Sequence, residues 1–265
     1  MTLGNRTVWL KAIAAVGAVA SLTINFGLID LIDGFTGYVD QARNQVLDVG
    51  WGALFGLILP VGLLAQLRRP ERRIAGPQQT AVVALALAAA GVAGEQWRYI
   101  ALAAGIAGLC AVLLALHPAG QTYLDLGRRL DPMLLALAAA ATVPSLIYAR
   151  RMASAARHGL PPVDAVSNGL HHWTVMAALA LAVVLLVVLA ALGTSGWQIP
   201  ALSASLGSGA WAISCLLAPA SAPGSAGHAW AWAALAWAVL TLATAAWPRT
   251  RDQPIASAAG AASSA

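Results

Sequence analysis

Apolar residues in this chain do not recur at the spacing of a surface helix. They run on for most of twenty residues, stop at a short polar break, and resume. A helix that crosses a bilayer needs about 20 mostly apolar residues, because lipid offers no partner to a free backbone N–H or C=O. Eight stretches meet that requirement, at roughly 10–31, 49–67, 78–96, 99–116, 133–149, 173–193, 199–218 and 229–247. The fifth is the shortest and carries Pro144. The third and fourth are separated by little more than Gln96-Trp97-Arg98, which predicts an antiparallel hairpin. The expected fold is all-α: a polytopic integral membrane helical bundle with eight transmembrane helices, or seven if 133–149 is re-entrant. Residues 1–247 read as a single transmembrane domain. Residues 248–265 end in Ala, Ser and Gly and are expected to form a disordered C-terminal tail.

Composition agrees with the pattern. Hydrophobic residues are 60% of the 265 and charged residues 9%, with a mean hydropathy of +0.75. A soluble domain is typically about 25% charged, so a soluble enzyme, a disordered chain and a disulfide scaffold are excluded. Arg6 and Lys11 before an apolar run, with Ala18-Val19-Ala20 as a cleavage pattern, also resemble a signal peptide. The run continues to Ile32, which favours a retained helix.

The excess of cations, 15 against 10 acids, is that of basic loops that orient membrane helices, not of a nucleic-acid binder. Fourteen of the cations are arginine, and with the abundant Ala and Gly this reads as the codon bias of a GC-rich bacterium. Arg68, Arg69, Arg72 and Arg73 follow the second span, so that loop is expected in the cytoplasm, with both termini on the same side of a bacterial plasma membrane. Ten cations then lie inside and five outside, and the pairs Arg128-Arg129 and Arg150-Arg151 at opposite ends of the fifth span cannot both obey the rule. Trp9, Trp51, Trp97, Trp173, Trp197, Trp230 and Trp247 fall near span ends, where an indole suits the headgroup layer. Trp211 and Trp237 fall within spans, where packing or a lipid face is expected.

Candidate chemistry is sparse. No ionisable residue lies near the middle of a predicted span, which argues against an ion-coupled carrier. Six of the ten acids and four of the five histidines fall on the expected outer side. Imidazole and carboxylate together are the usual ligands of transition metals, so His171, His172, His228, Glu95 and Asp30 are the candidate metal ligands, with a transition metal or haem as the candidate cofactor. Adjacent histidines point about 100° apart on a helix, so a site takes one of His171 and His172, while the other reading of His171-His172-Trp173 is an interfacial anchor. Glu95 next to Arg98 reads equally as an ion pair. Asp33, Asp40 and Asp48 read as a solvated acidic loop without the acid spacing of a calcium site. Asn25 reads as a helix-to-helix contact.

Gly52-x-x-x-Gly56 allows close backbone approach within the bundle, and Pro60 and Pro144 are candidate kinks. Cys110 and Cys215 read as apolar fillers at different depths. A faint echo between residues 38–69 and 123–151 has unequal spacings and reads as coincidence. No phosphate-binding loop, Cys-x-x-Cys, Gly-x-Ser-x-Gly or His-Glu-x-x-His is present. The expected function is non-enzymatic: structural, accessory or small-solute permeation, with the lipid bilayer as the partner. The alternatives are an outer-face metal or haem site and, more weakly, lipid or quinone handling.

Overall fold

An apolar run uninterrupted by charge satisfies its backbone only by coiling on itself, and every long run here does so. The computed structural model describes residues 3–23, 27–36, 44–118, 130–158 and 172–247. The elements are α1 (Leu3–Thr23), α2 (Gly27–Thr36), α3 (Gln45–Gly52), a π-helical segment (Ala53–Ile58), α4 (Leu59–Leu64), α5 (Ala75–Ala93), α6 (Trp97–Leu116), α7 (Pro132–Arg157), α8 (His172–Ala191), α9 (Gln198–Leu217) and α10 (His228–Ala246). Two short 3-10 turns, Ala65–Leu67 and Pro70–Arg72, follow α4. Among the described residues the fold is all-α without strands, and eight helical stretches are long and apolar enough to cross a membrane. Residues 248–265, the expected tail, lie outside the described residues, as do Asn25, Asp40 and the Arg128-Arg129 pair.

The crossings alternate between two ends. At one end the Arg68–Arg73 loop meets the α8–α9 turn through Ala75 N–H to Ser195 O, 3.0 Å. Asp131 joins this end through its N–H to Ala191 O, 2.9 Å. At the other end the α5–α6 turn faces the end of α7, and α3 begins beside the start of α8. The fifth helix therefore passes from one end to the other. It runs to Arg157, well beyond the expected limit near 149, and carries Arg150 and Arg151 on its own turns. Pro144 does not end it. Asp131 caps its start by accepting from the N–H groups of Met133 and Leu134, at 2.9 and 3.0 Å, with Pro132 at the first helical position.

The second span is central and irregular. Its π-helical segment begins just after Gly52 and ends two residues before Pro60, with Leu59 N–H bonded five residues back to Leu54 O. Proline has no N–H, so Phe55 receives none from Pro60 in this register. Ser21 of α1 donates to Phe55 O instead, at 2.6 Å. Gln79 of α5, fully buried, donates its amide to Ile58 O at 2.5 Å and to Ser203 of α9 at 2.9 Å. Irregular backbone at membrane depth is tolerated where protein supplies such partners.

Small residues let the backbones close up. A Cβ added to Gly52 would lie 2.5 Å from Leu31 N, one added to Gly27 2.5 Å from Phe55 C, and one added to Gly56 would strike Gly27 O. The Gly52-x-x-x-Gly56 pair thus seats α2 against the second span, as its spacing predicts. Helix α8 is buried over nearly its whole length, while α7 and α10 turn residues such as Val143, Ile147, Trp232 and Val239 outward. Trp211 and Trp237 pack inside: Trp237 donates to Leu137 O at 2.8 Å, and Trp211 meets Tyr148 edge-on.

Candidate binding site at the α3–α8 end

Two ionisable residues far apart in sequence meet where α3 and α8 begin. Asp48 sits in the first turn of α3 and His172 opens α8. His172 Nδ1 lies 3.2 Å from Asp48 Oδ1. Asp48 is 9% exposed and His172 4%. Trp51, one turn beyond Asp48, lays its ring 4.7 Å from the imidazole, tilted by 51°, and contacts Phe55 and Tyr99 behind it. Asp30 of α2 lies within electrostatic reach of His172, Asp48 and Asp33. The seating of α2 on the second span through its glycines brings this second carboxylate to the pair.

The group is close but incompletely bonded. Among the described residues neither ring nitrogen of His172 makes an aligned hydrogen bond, and Asp30 Oδ2 is buried without a hydrogen-bond partner. Buried polar atoms are paired in the great majority of cases, so each exception calls for a physical account. A buried carboxylate such as Asp30 either takes up a proton or needs a counter-charge. Uncompensated charge of this kind is costly in a low-dielectric site. A small positive species would reduce it.

The five expected ligands are distributed as follows. His172 meets Asp48, which the sequence placed in a solvated loop, and Asp30 lies within electrostatic reach of both. Glu95 is in the tight turn after α5 with a left-handed backbone, φ 57°, exposed, and 3.8 Å from Arg157. Its partner is thus Arg157 of α7, while Arg98 lies over the Trp97 ring at 5.9 Å. His228 opens α10 and spends Nε2 on Ala218 O at 3.1 Å, fastening the α9–α10 loop. His171 lies outside the described residues. Among the described residues no three His, Cys, Asp or Glu side chains form a group that could hold a metal ion.

The aromatic belt also needs amendment. Trp9, Trp97, Trp230 and Trp247 are exposed near helix ends, as expected, but Trp51 and Trp173 are buried in the protein. His172 likewise is no interfacial anchor, because it is enclosed between Trp51 and Asp48. The signal for this site was a spacing of one helical turn, Asp48 to Trp51. Comparison with protein-family models, with curated proteins and with solved structures finds no match to this chain.

Proposed function

We propose that this chain is a non-enzymatic protein of a bacterial plasma membrane that binds a small cationic solute at the α3–α8 end, as a step in solute permeation or sensing. The observation that carries the reading is the buried approach of Asp48 to His172, with Asp30 within electrostatic reach of both. Carboxylate-rich and close to a helix end, the group favours a cation over an anion or an apolar ligand. The arginine loop at the opposite end supports an orientation with the α3–α8 end outward and both termini cytoplasmic.

The test is calorimetric titration of the full chain in phosphatidylcholine nanodiscs with sodium, tetramethylammonium and zinc chlorides. Saturable binding of a monovalent cation is expected, weakened at least tenfold by Asp48→Asn and unchanged by Glu95→Gln. Absence of saturable monovalent binding, or binding indifferent to Asp48→Asn, would overturn the reading. Zinc binding alone, lost in His228→Gln, would favour the histidine metal set in its place.

A further inference from the structure

The second unusual surface lies at the opposite end and is independent of the cation site. Arg68, Arg69, Arg72 and Arg73 stand against a single acid, Glu71, in a loop six residues long. Arg68, Arg69 and Arg72 are exposed. A loop that served only to orient the helices would need charge alone, and could be loose. This one is fastened from three sides. Gln66 donates to Arg73 O at 2.8 Å, Ser195 donates to Arg72 O at 2.7 Å, and Gly196 packs its backbone so that an added Cβ would lie 3.0 Å from Arg73 Cα. Pro70 is buried, and the His117 imidazole reaches its carbonyl.

Arg69 is held in the left-handed region, φ 55° and ψ 58°, and leads directly into the Pro70–Arg72 turn. A non-glycine residue is strained there, and such residues persist only where the surrounding structure fixes them. The result is three guanidinium groups presented from a fixed backbone at the end of a membrane span. Leu64, the last residue of α4 and four positions before Arg68, is 44% exposed. An apolar side chain below and guanidinium groups above match the two parts of a lipid, an acyl chain and a phosphate. Guanidinium takes phosphate oxygens in paired hydrogen bonds, and basic residues next to a span attract anionic headgroups.

We propose that the Arg68–Arg73 loop is a binding site for the phosphate headgroup of an anionic lipid, with Leu64 against its acyl chain. The experiment is native mass spectrometry of the full chain after delipidation and exposure to phosphatidylglycerol or phosphatidylcholine. Phosphatidylglycerol is expected to remain bound at least fivefold more than phosphatidylcholine. Arg68→Gln and Arg72→Gln, each made alone so that three arginines still set the orientation, should each lower its retention severalfold. Arg98→Gln, at the other end, should leave it unchanged. Equal retention of the two lipids, or retention indifferent to both loop substitutions, would overturn the proposal. Inorganic phosphate at millimolar concentration displacing the lipid fully would overturn its acyl-chain part.

Discussion

The Ser21 hydroxyl donates to the Phe55 carbonyl at 2.6 Å, and Phe55 is the residue that Pro60, five positions on, leaves without a backbone donor. A side chain of the first span thus completes the backbone of the second. Removing it should cost about 1–2 kcal/mol, the range for a buried acceptor left unpaired or an interhelical bond in a membrane. Pro60→Ala restores an N–H. Ser21→Ala should therefore be less costly in the Pro60→Ala background than in the native chain. A double-mutant cycle read by reversible unfolding in mixed micelles checks this, and additive effects would refute the linkage.

Close approach at glycine gives a second expectation. Gly56→Ala drives a methyl into the Gly27 carbonyl, a backbone atom that cannot rotate aside, whereas Gly105 and Gly108 of α6 have open space at the same position. Overpacking costs about 1–3 kcal/mol. Gly56→Ala should lower the melting temperature of the purified protein markedly, and Gly105→Ala and Gly108→Ala should not. Equal shifts in all three would mean that α2 does not rest on the second span.

Acid should weaken the arginine-loop end through His117. Burial holds this imidazole below its ordinary value, opposed by the Pro70 carbonyl and by Glu71. An unfolded histidine titrates near about 6.5, so below that pH the unfolded chain takes up a proton that the folded chain resists. Stability from this group is then full at higher pH and falls as pH drops through the unfolded value toward the lower folded one. His117→Gln should flatten the decline in melting temperature between pH 8 and pH 5. An unchanged slope would exclude His117 as its source.

Tyr148 joins α7 to both α9 and the α9–α10 loop. Its hydroxyl donates to Gly224 O at 2.5 Å and accepts from Trp211 Nε1 at 3.2 Å. Tyr148→Phe keeps the ring and its edge contact but strands both groups, for about 1–3 kcal/mol. Trp211→Phe in that background should add little, because one of the two partners is already gone. Full additivity would contradict the shared hydroxyl.

The spans were legible in the sequence because lipid imposes one rule on every crossing segment. The eight runs, the tight α5–α6 hairpin and the glycine pair at 52 and 56 all follow from it. What the sequence concealed was contact between distant positions. Asp48 looked like a loop acid because it follows Asp33, Asp40, Asn44 and Gln45 in a stretch rich in polar residues. Only the start of α3 at Gln45 puts it inside the bundle, and only the fold sets it beside a histidine 124 positions away. Glu95 misled for the opposite reason: Arg98 is its neighbour in sequence, but the turn points it at Arg157. The fifth helix outran its apolar core because a capped, proline-led start and a run of alanines continue the helix past two arginines. Trp51 and Trp173 show that a tryptophan near a helix end marks the interface only when the helix face it occupies is outward.

Beyond His172 and Thr174, helix α8 is apolar on every side, and protein encloses nearly its whole length. From Val175 to Ala191 its side chains are as compatible with lipid as with its neighbours. The second span, with Asp48 at one end and an irregular backbone at its centre, has no such freedom, since its carbonyls lean on Ser21 and Gln79. During synthesis it emerges after the first of these and before the second. Until α5 arrives, the Ile58 carbonyl lacks the partner that Gln79 supplies in the finished bundle.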